Sequence, residues 1–280
     1  MNEEPQVLYC DAWLMAIDKP AGMIVHGDGT GERTLTDYAS DLLLAMGDGF
    51  AATDMQPLNR LDRDTTGVVL FSLDKQTQPA FDQMVIDHAF EKHYLALAEG
   101  KIDWNEKLID KPIARDRHDS RKMRVGASGK PSQTRVKVLK RLKSRRGLPT
   151  RSYIDVELLT GRKHQIRVHL ASERHPLVGD DLYGTPRPCG LMLHAHSVSF
   201  THPVTGEHIY IEAPCPWEPY NLPKRDRFIL AGFIWANVKP PRWLSRGAKT
   251  SRSVTVRTHF PVYLLQIETF KSPSRENLDL

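Results

Sequence analysis

Cysteine is scarce in this chain. Its 280 residues include three cysteines, Cys10, Cys189 and Cys215, which lie far apart. So few and so scattered thiols support neither a disulfide framework nor a zinc site. We therefore expect no disulfide and no metal centre built on cysteine.

Long apolar runs are also missing. No stretch approaches the roughly 18 consecutive apolar residues that a membrane helix needs. Residues 1–4 have neither the basic start nor the apolar run of a signal peptide. These absences predict a globular protein of the cytoplasm without a membrane partner.

The excess of positive over negative charge is small, because the chain has 39 Lys and Arg and 34 Asp and Glu. The distribution is uneven. The chain is acidic up to residue 58, whereas residues 111–151, here called the basic band, contain many cations and only Asp116 and Asp119 as acids. Clustered cations attract phosphate backbones, which favours a nucleic-acid partner. For residues 143–147, a solvated flexible connection is the alternative.

Apolar spacing predicts more strands than helices. Strand patterns occur at residues 14–17, 68–71, 94–98, 136–139, 153–158 and 198–200, and helical patterns occur at residues 35–44, 79–86 and 164–171. The two kinds do not alternate regularly. We therefore expect an α+β domain with a central mixed or mostly antiparallel sheet.

Residues 59–67 (NRLDRDTTG) place a carboxylate between arginines, immediately before a predicted strand. Loops held by a rigid scaffold commonly bear reactive side chains. The alternative is that Asp62 and Asp64 only pair with Arg60 and Arg63 on a solvated turn.

This string closely resembles the R-L-D-x-x-T-x-G signature of the RluA-type pseudouridine synthases. Other segments are similar to that family's elements in their usual order: residues 7–9 with 14–22, 92–97 (KHYLAL), 160–169 (TGRKHQIRVH), 179–184 and 191–195. The resemblance covers about residues 7–216. It implies the pseudouridine synthase fold and isomerisation of uridines in ribosomal or transfer RNA, without a cofactor or metal.

The resemblance also implies the site residues. Asp62 corresponds to the catalytic aspartate, as a nucleophile or as a base, and Tyr94 to the tyrosine that faces the target base. Arg167 corresponds to the arginine that pairs with the aspartate. Because a desolvated carboxylate needs a neighbouring cation to stay ionised, we expect Arg167 to lie beside Asp62.

Further residues are expected to bind substrate. Arg60 is the candidate to stack where a base has left the RNA. Leu193 would line the uracil pocket, with core packing as an equal alternative. The residue before Arg60 is often histidine in the family and is Asn59 here, which affects how the loop is braced. The remaining predicted substrate-binding residues are Arg63, Thr65, Arg162, His164 and Gln165.

The predicted domains are a catalytic domain over residues 1–222 and a basic extension over residues 223–280, which is either RNA-contacting or poorly ordered. Many relatives begin with an S4-type module, which is expected to be absent here. We expect a monomer.

Two other functions compete with this interpretation. His164, His169, His194 and His196 suggest a metal-dependent hydrolase, but their spacing matches no zincin pattern. A non-catalytic RNA-binding or RNA-chaperone relative is the second alternative, although its hallmark would be loss of the aspartate.

Overall fold

The computed structural model describes residues 4–46, 54–144 and 149–217. Its three helices are α1 (Leu35–Met46), α2 (Gln78–Ile86) and α3 (Gln165–Ser172). Its strands are β1 (Gln6–Cys10), β2 (Leu14–Lys19), β3 (Gln56–Pro57), β4 (Thr66–Ser72), β5 (Glu91–Glu99), β6 (Glu106–Asp110), β7 (Ile113–Arg115), β8 (Met123–Val125), β9 (Gln133–Leu142), β10 (Arg151–Leu158), β11 (Leu193–Thr201) and β12 (His208–Glu212).

Ten of these strands form one mixed sheet. Its order is β1-β2-β4-β11-β5-β10-β9-β6, with β3 added to β4 and β12 added to β11. Every pair is antiparallel except β4 with β11. A separate hairpin is formed by β7 and β8. The predicted α+β class with a mostly antiparallel sheet is confirmed.

Buried side chains cover both faces of the sheet. One apolar core contains residues of α1 and α3, including Leu35, Leu43 and Leu170. A second core contains Phe81 of α2 together with Val68 of β4, and a third, smaller one contains Leu95, Leu97, Tyr153 and Val178. In β4, Val68 and Val69 enter different cores, because successive side chains of a strand point to opposite faces.

Strands β4 and β11 approach closely where they pair in parallel. Gly67 has φ +109°, and a Cβ there would lie 2.1 Å from the carbonyl oxygen of Ala195. Only glycine fits such an approach. The glycine that ends the 59–67 string therefore allows the loop before β4 to join the centre of the sheet.

All of the strands and helices predicted from spacing are present, with longer bounds in most cases. Spacing did not reveal β1, β3, β6, β7, β8 or β12, which are short and mostly exposed or half-buried. The predicted start of a helix at His164 was wrong by one residue. His164 has φ +57°, so α3 begins at Gln165.

Within the described ranges, no helix has the length and apolarity needed to cross a membrane. The predicted domain boundary at residues 222–223 and the basic extension lie outside those ranges.

Candidate active site

The loop that bears Asp62 is hydrogen-bonded to the backbone of β4. The amide of Asn59 donates to the carbonyl of Val68 at 3.2 Å and accepts the N–H of Leu70 at 2.7 Å. The N–H of Thr65 then donates to the carbonyl of Asp62 at 3.1 Å. Asn59, the residue that departs from the family pattern, thus braces the loop through backbone groups.

Lys19 holds the same loop from the side of β2. Its buried ammonium donates to the carbonyls of Pro20, Met23 and Arg63, each at 2.8 Å. Burial lowers the pKa of Lys19 to about 7, while the charges of Asp64 and Asp62 act in the opposite direction. The three carbonyl acceptors match the three donors of an ammonium group.

Asp62 and Arg167 meet as the sequence predicted. Nη1 of Arg167 lies 3.3 Å from Oδ2 of Asp62, although the residues are 105 positions apart in the chain. The Arg167 side chain is only 6% exposed, whereas that of Asp62 is 26% exposed. Asp62 is therefore reachable from solvent while its cation is not.

Asp180 is the main partner of Arg167. The guanidinium donates to both of its carboxylate oxygens at 2.8 Å, and also to Asp181 at 3.1 Å. Burial alone lowers the pKa of Arg167, but the hydrogen bonds and charge of Asp180 and the charge of Asp62 raise it above its ordinary value. The pKa of Asp180 is lowered, because its bonds to Arg167 outweigh burial. A bidentate buried pair fixes the guanidinium in one orientation.

Tyr94 lies on β5 near this ion pair. It is 7% exposed, and its pKa is raised by burial and then by the charge of Asp62. Among the described residues, its hydroxyl has no hydrogen-bond partner. Tyr94 also lines a cavity of about 20 Å³ together with Lys92 and Val68, and neither Asp62 nor Arg167 lines it. A space of that size holds about one water.

His164 is the second nitrogen-bearing side chain near Asp62. Its Nε2 is 3.8 Å from Oδ1 of Asp62, and its Nδ1 is 2.8 Å from the hydroxyl of Tyr183. Burial lowers the pKa of His164, and Asp62 opposes that effect. The ring of Tyr183 also lies under the guanidinium of Arg167, 5.4 Å from its central carbon.

The predicted substrate-binding residues before β4 differ in how free they are. Arg60 is exposed and has no hydrogen bond or ion pair within the described ranges. Arg63 pairs with Glu32 at 2.6 Å and with Asp28 at 3.7 Å. Thr65 is buried, and its hydroxyl has no partner among the described residues. Of the two arginines, Arg63 is paired among the residues that the structure describes and Arg60 is not.

Gln165 fills an internal role. Its side-chain oxygen accepts from Thr160 and from the N–H of Arg162, and its nitrogen donates to the carbonyl of Gln133 and the hydroxyl of Thr134. These four bonds use the full capacity of the amide, which argues against the predicted contact with substrate. Half-buried Arg162 donates to the carbonyl of Pro131 at 3.3 Å.

Leu193 is 4% exposed and belongs to the apolar core on the α1 and α3 side of the sheet. It pairs with Ala96 of β5, two residues from Tyr94. Both the pocket and the core interpretation place it near the tyrosine, and in this structure its contacts are those of a core residue.

The four histidines proposed for a metal site do not converge. His169 contacts Thr134 and a backbone carbonyl, whereas His194 and His196 both contact the carbonyl of Ala213. Within the part of the chain that is described, no three metal-type ligands come together.

The basic band is divided among several elements. The hairpin of β7 and β8 touches the site, because the N–H of Met123 donates to the hydroxyl of Tyr183 at 2.7 Å. Arg141 instead donates to the carbonyls of Ile102 and Trp104. Arg145 and Arg146 lie outside the described residues. The band is thus only partly a surface that is free for RNA.

Sequence reasoning missed three residues of the site: Lys19, Asp180 and Tyr183. Each lies in a segment that resembles a family element, at residues 14–22 or 179–184. The only available signal was a charged or hydroxyl-bearing side chain inside an otherwise apolar or glycine-rich segment. That signal does not identify a partner.

The chain is similar to known pseudouridine synthases. A family model described as RNA pseudouridylate synthase matches residues 14–172. The chain is 36% identical over 222 residues to "Uncharacterized RNA pseudouridine synthase YhcT" of Bacillus subtilis, covering 78% of this chain and 71% of that protein.

A second relative is "Ribosomal large subunit pseudouridine synthase D" of Neisseria meningitidis serogroup B, which is 35% identical over 236 residues. The match covers 77% of this chain and 59% of the relative's length. Among solved structures, "Human RNA Pseudouridylate Synthase Domain Containing 1" superposes with a TM-score of 0.64 at 26% identity, covering 85% of this chain and 97% of that one.

Proposed function

Because the chain belongs to the RNA pseudouridylate synthase family, whose members are isomerases, we propose that it converts uridine in RNA to pseudouridine with Asp62 as the catalytic carboxylate. The reaction breaks the bond between ribose and N1 of uracil, turns the base, and rejoins it through C5. No atom is gained or lost, so the protein has to hold the separated base and sugar together.

The contact between Asp62 and Arg167 is the observation that carries this proposal. A carboxylate that attacks the sugar or base, or that removes a sugar proton, has to be ionised. The guanidinium at 3.3 Å supplies the opposite charge, and the buried Asp180 keeps it there. Arg167 is buried while Asp62 is accessible to solvent, so a large substrate can reach the carboxylate without displacing its cation.

Tyr94 and Arg60 would act on the nucleotide itself. The free hydroxyl and ring of Tyr94 are suited to hydrogen bonding and stacking with uracil. Arg60, exposed and unpaired, is the candidate to occupy the place that the base leaves in the RNA.

Ribosomal RNA is the substrate class that we propose. The support is the printed name of the Neisseria relative, which assigns it to the large ribosomal subunit. Transfer RNA is the alternative, and the experiment has to distinguish the two.

Pseudouridine mapping across total RNA tests the proposal. Cells that lack the protein should lose one or a few pseudouridines in large-subunit RNA, and the wild-type gene should restore them. Asp62→Asn should not restore them, because an amide cannot serve as the nucleophile or base. Loss confined to transfer RNA would overturn the substrate class.

Asp64→Asn is the matched control, because Asp64 is in the same loop without contacting Arg167. It should restore modification. Restoration by Asp62→Asn would contradict a catalytic carboxylate at that position and would favour a non-catalytic RNA-binding protein.

A further inference from the structure

We propose that Tyr183 sets the tautomer of His164, and that the N–H of His164 thereby presented to Asp62 orients the catalytic carboxylate. His164 and Tyr183 are then positioning residues. This inference rests on the proposed function of Asp62.

The hydroxyl of Tyr183 decides which nitrogen of His164 bears the proton. That hydroxyl already accepts the N–H of Met123 at 2.7 Å, so its own hydrogen is available to the Nδ1 of His164 at 2.8 Å. A neutral imidazole has one donor and one acceptor nitrogen. If Nδ1 accepts, the proton is on Nε2, the nitrogen that faces Oδ1 of Asp62.

The two oxygens of Asp62 would then have separate donors. Arg167 contacts Oδ2 at 3.3 Å, and Nε2 of His164 lies 3.8 Å from Oδ1. The second distance exceeds a hydrogen bond, but contacts in active sites commonly tighten when the substrate binds. Burial lowers the pKa of His164 and so favours the neutral ring that this arrangement needs.

The backbone at His164 points in the same direction. Its φ of +57° is in the left-handed region, which is uncommon for residues other than glycine, although histidine adopts it more often than most. Strained residues of this kind cluster at functional sites. His164 is the residue immediately before α3, and its Nε2 lies 3.8 Å from Oδ1 of Asp62.

Nitrogen NMR of the histidine-labelled full chain tests the tautomer directly. The signal of His164, identified by its loss in His164→Asn, should show an unprotonated Nδ1 and a protonated Nε2 at neutral pH. In Tyr183→Phe the two tautomers should mix, because the phenyl ring keeps the stacking on Arg167 but has no hydroxyl. A protonated Nδ1 in the wild-type chain would overturn the proposal.

Kinetics give the second readout. Tyr183→Phe should lower kcat roughly three- to tenfold while KM stays within about twofold, since a neutral hydrogen bond contributes on that scale. His164→Asn should lower kcat at least as much, and asparagine tolerates the left-handed backbone. Unchanged kcat in both variants would refute the positioning role.

Controls separate this proposal from others. Tyr210→Phe removes an exposed hydroxyl that bonds Glu212, and it should change neither the histidine spectrum nor kcat. Full activity in Asp62→Asn would refute the proposed function, whereas the tautomer can be measured without any turnover. Unfolding temperatures of all variants identify any loss that comes from misfolding.

Discussion

Arg167 pairs with the buried carboxylate of Asp180 and with the solvent-accessible carboxylates of Asp62 and Asp181. A pair of substitutions can therefore separate its structural role from its chemical one. Arg167→Met removes the cation from both Asp62 and Asp180. The carboxylate of Asp180 is then left buried without a counter-charge, whereas Asp62 retains access to solvent. Adding Asp180→Asn removes the uncompensated charge and leaves Asp62 as it was in the single variant.

The structure sets the expected magnitudes. Breaking a buried ion pair by removing one partner costs about 3–5 kcal/mol, which corresponds to a fall of roughly 6–20 °C in Tm for a domain of this size. The double variant should recover most of that loss. One oxygen of the amide can still accept the N–H groups of Leu182 and Tyr183, which both bond to Oδ1 of Asp180 at 3.0 Å.

Turnover should behave differently. Both variants lack the charge beside Asp62, so kcat should fall by roughly 10²- to 10³-fold in each, as when one preorganised electrostatic contact is removed from an active site. RNA binding should largely persist, because one buried cation adds little to the attraction for many phosphates.

Thermal unfolding and single-turnover pseudouridine formation measure the two effects. Arg135→Met serves as the stability control, since its pair with Glu157 is half-exposed and should contribute less than about 1 kcal/mol. Restored turnover in the double variant, or no gain in its stability over Arg167→Met, would refute the two separate roles of Arg167.

Three further predictions concern other charged groups. Bonds to Asp155 raise the pKa of His93 to about 9. Its contribution should therefore be complete below the unfolded-state pKa of about 6.5 and vanish as pH rises through 9, so the Tm difference between wild type and His93→Gln should shrink over that interval; a constant difference would contradict the pairing. Burial lowers the pKa of Lys92, which has no ion-pair partner among the described residues, and Lys92→Met should raise Tm by roughly 2–4 °C; a lower Tm would show that the ammonium stabilises the fold. Combined Lys122→Gln and Arg124→Gln in the hairpin beside Tyr183 should reduce the salt dependence of RNA binding by roughly 0.7–0.9 per lost phosphate contact; an unchanged slope would place the hairpin off the RNA path.

Residue patterns along the chain predicted much of the architecture. Apolar spacing located α1 and α2 and the central strands, because these elements bury a continuous face and therefore need a regular pattern. Apolar spacing did not predict the short strands β3, β7 and β8. They have only two or three residues each, which is too short to show a periodic pattern.

The sequence by itself determined the family, the class of fold and the two residues that meet at the centre of the site. It did so because the strings around Asp62 and Arg167 are specific enough to identify without coordinates. The sequence did not determine which partners the other side chains of those strings contact.

Tertiary structure alone decided the partners. Gln165 has all four hydrogen bonds inside the protein, Arg167 is held mainly by Asp180, and His164 meets Tyr183. The physical reason is that a hydrogen bond or ion pair forms only when the donor and acceptor lie within a few tenths of an ångström of their favoured separation. Those distances are set by strand pairing and helix packing between segments far apart in the chain, which local residue patterns do not encode.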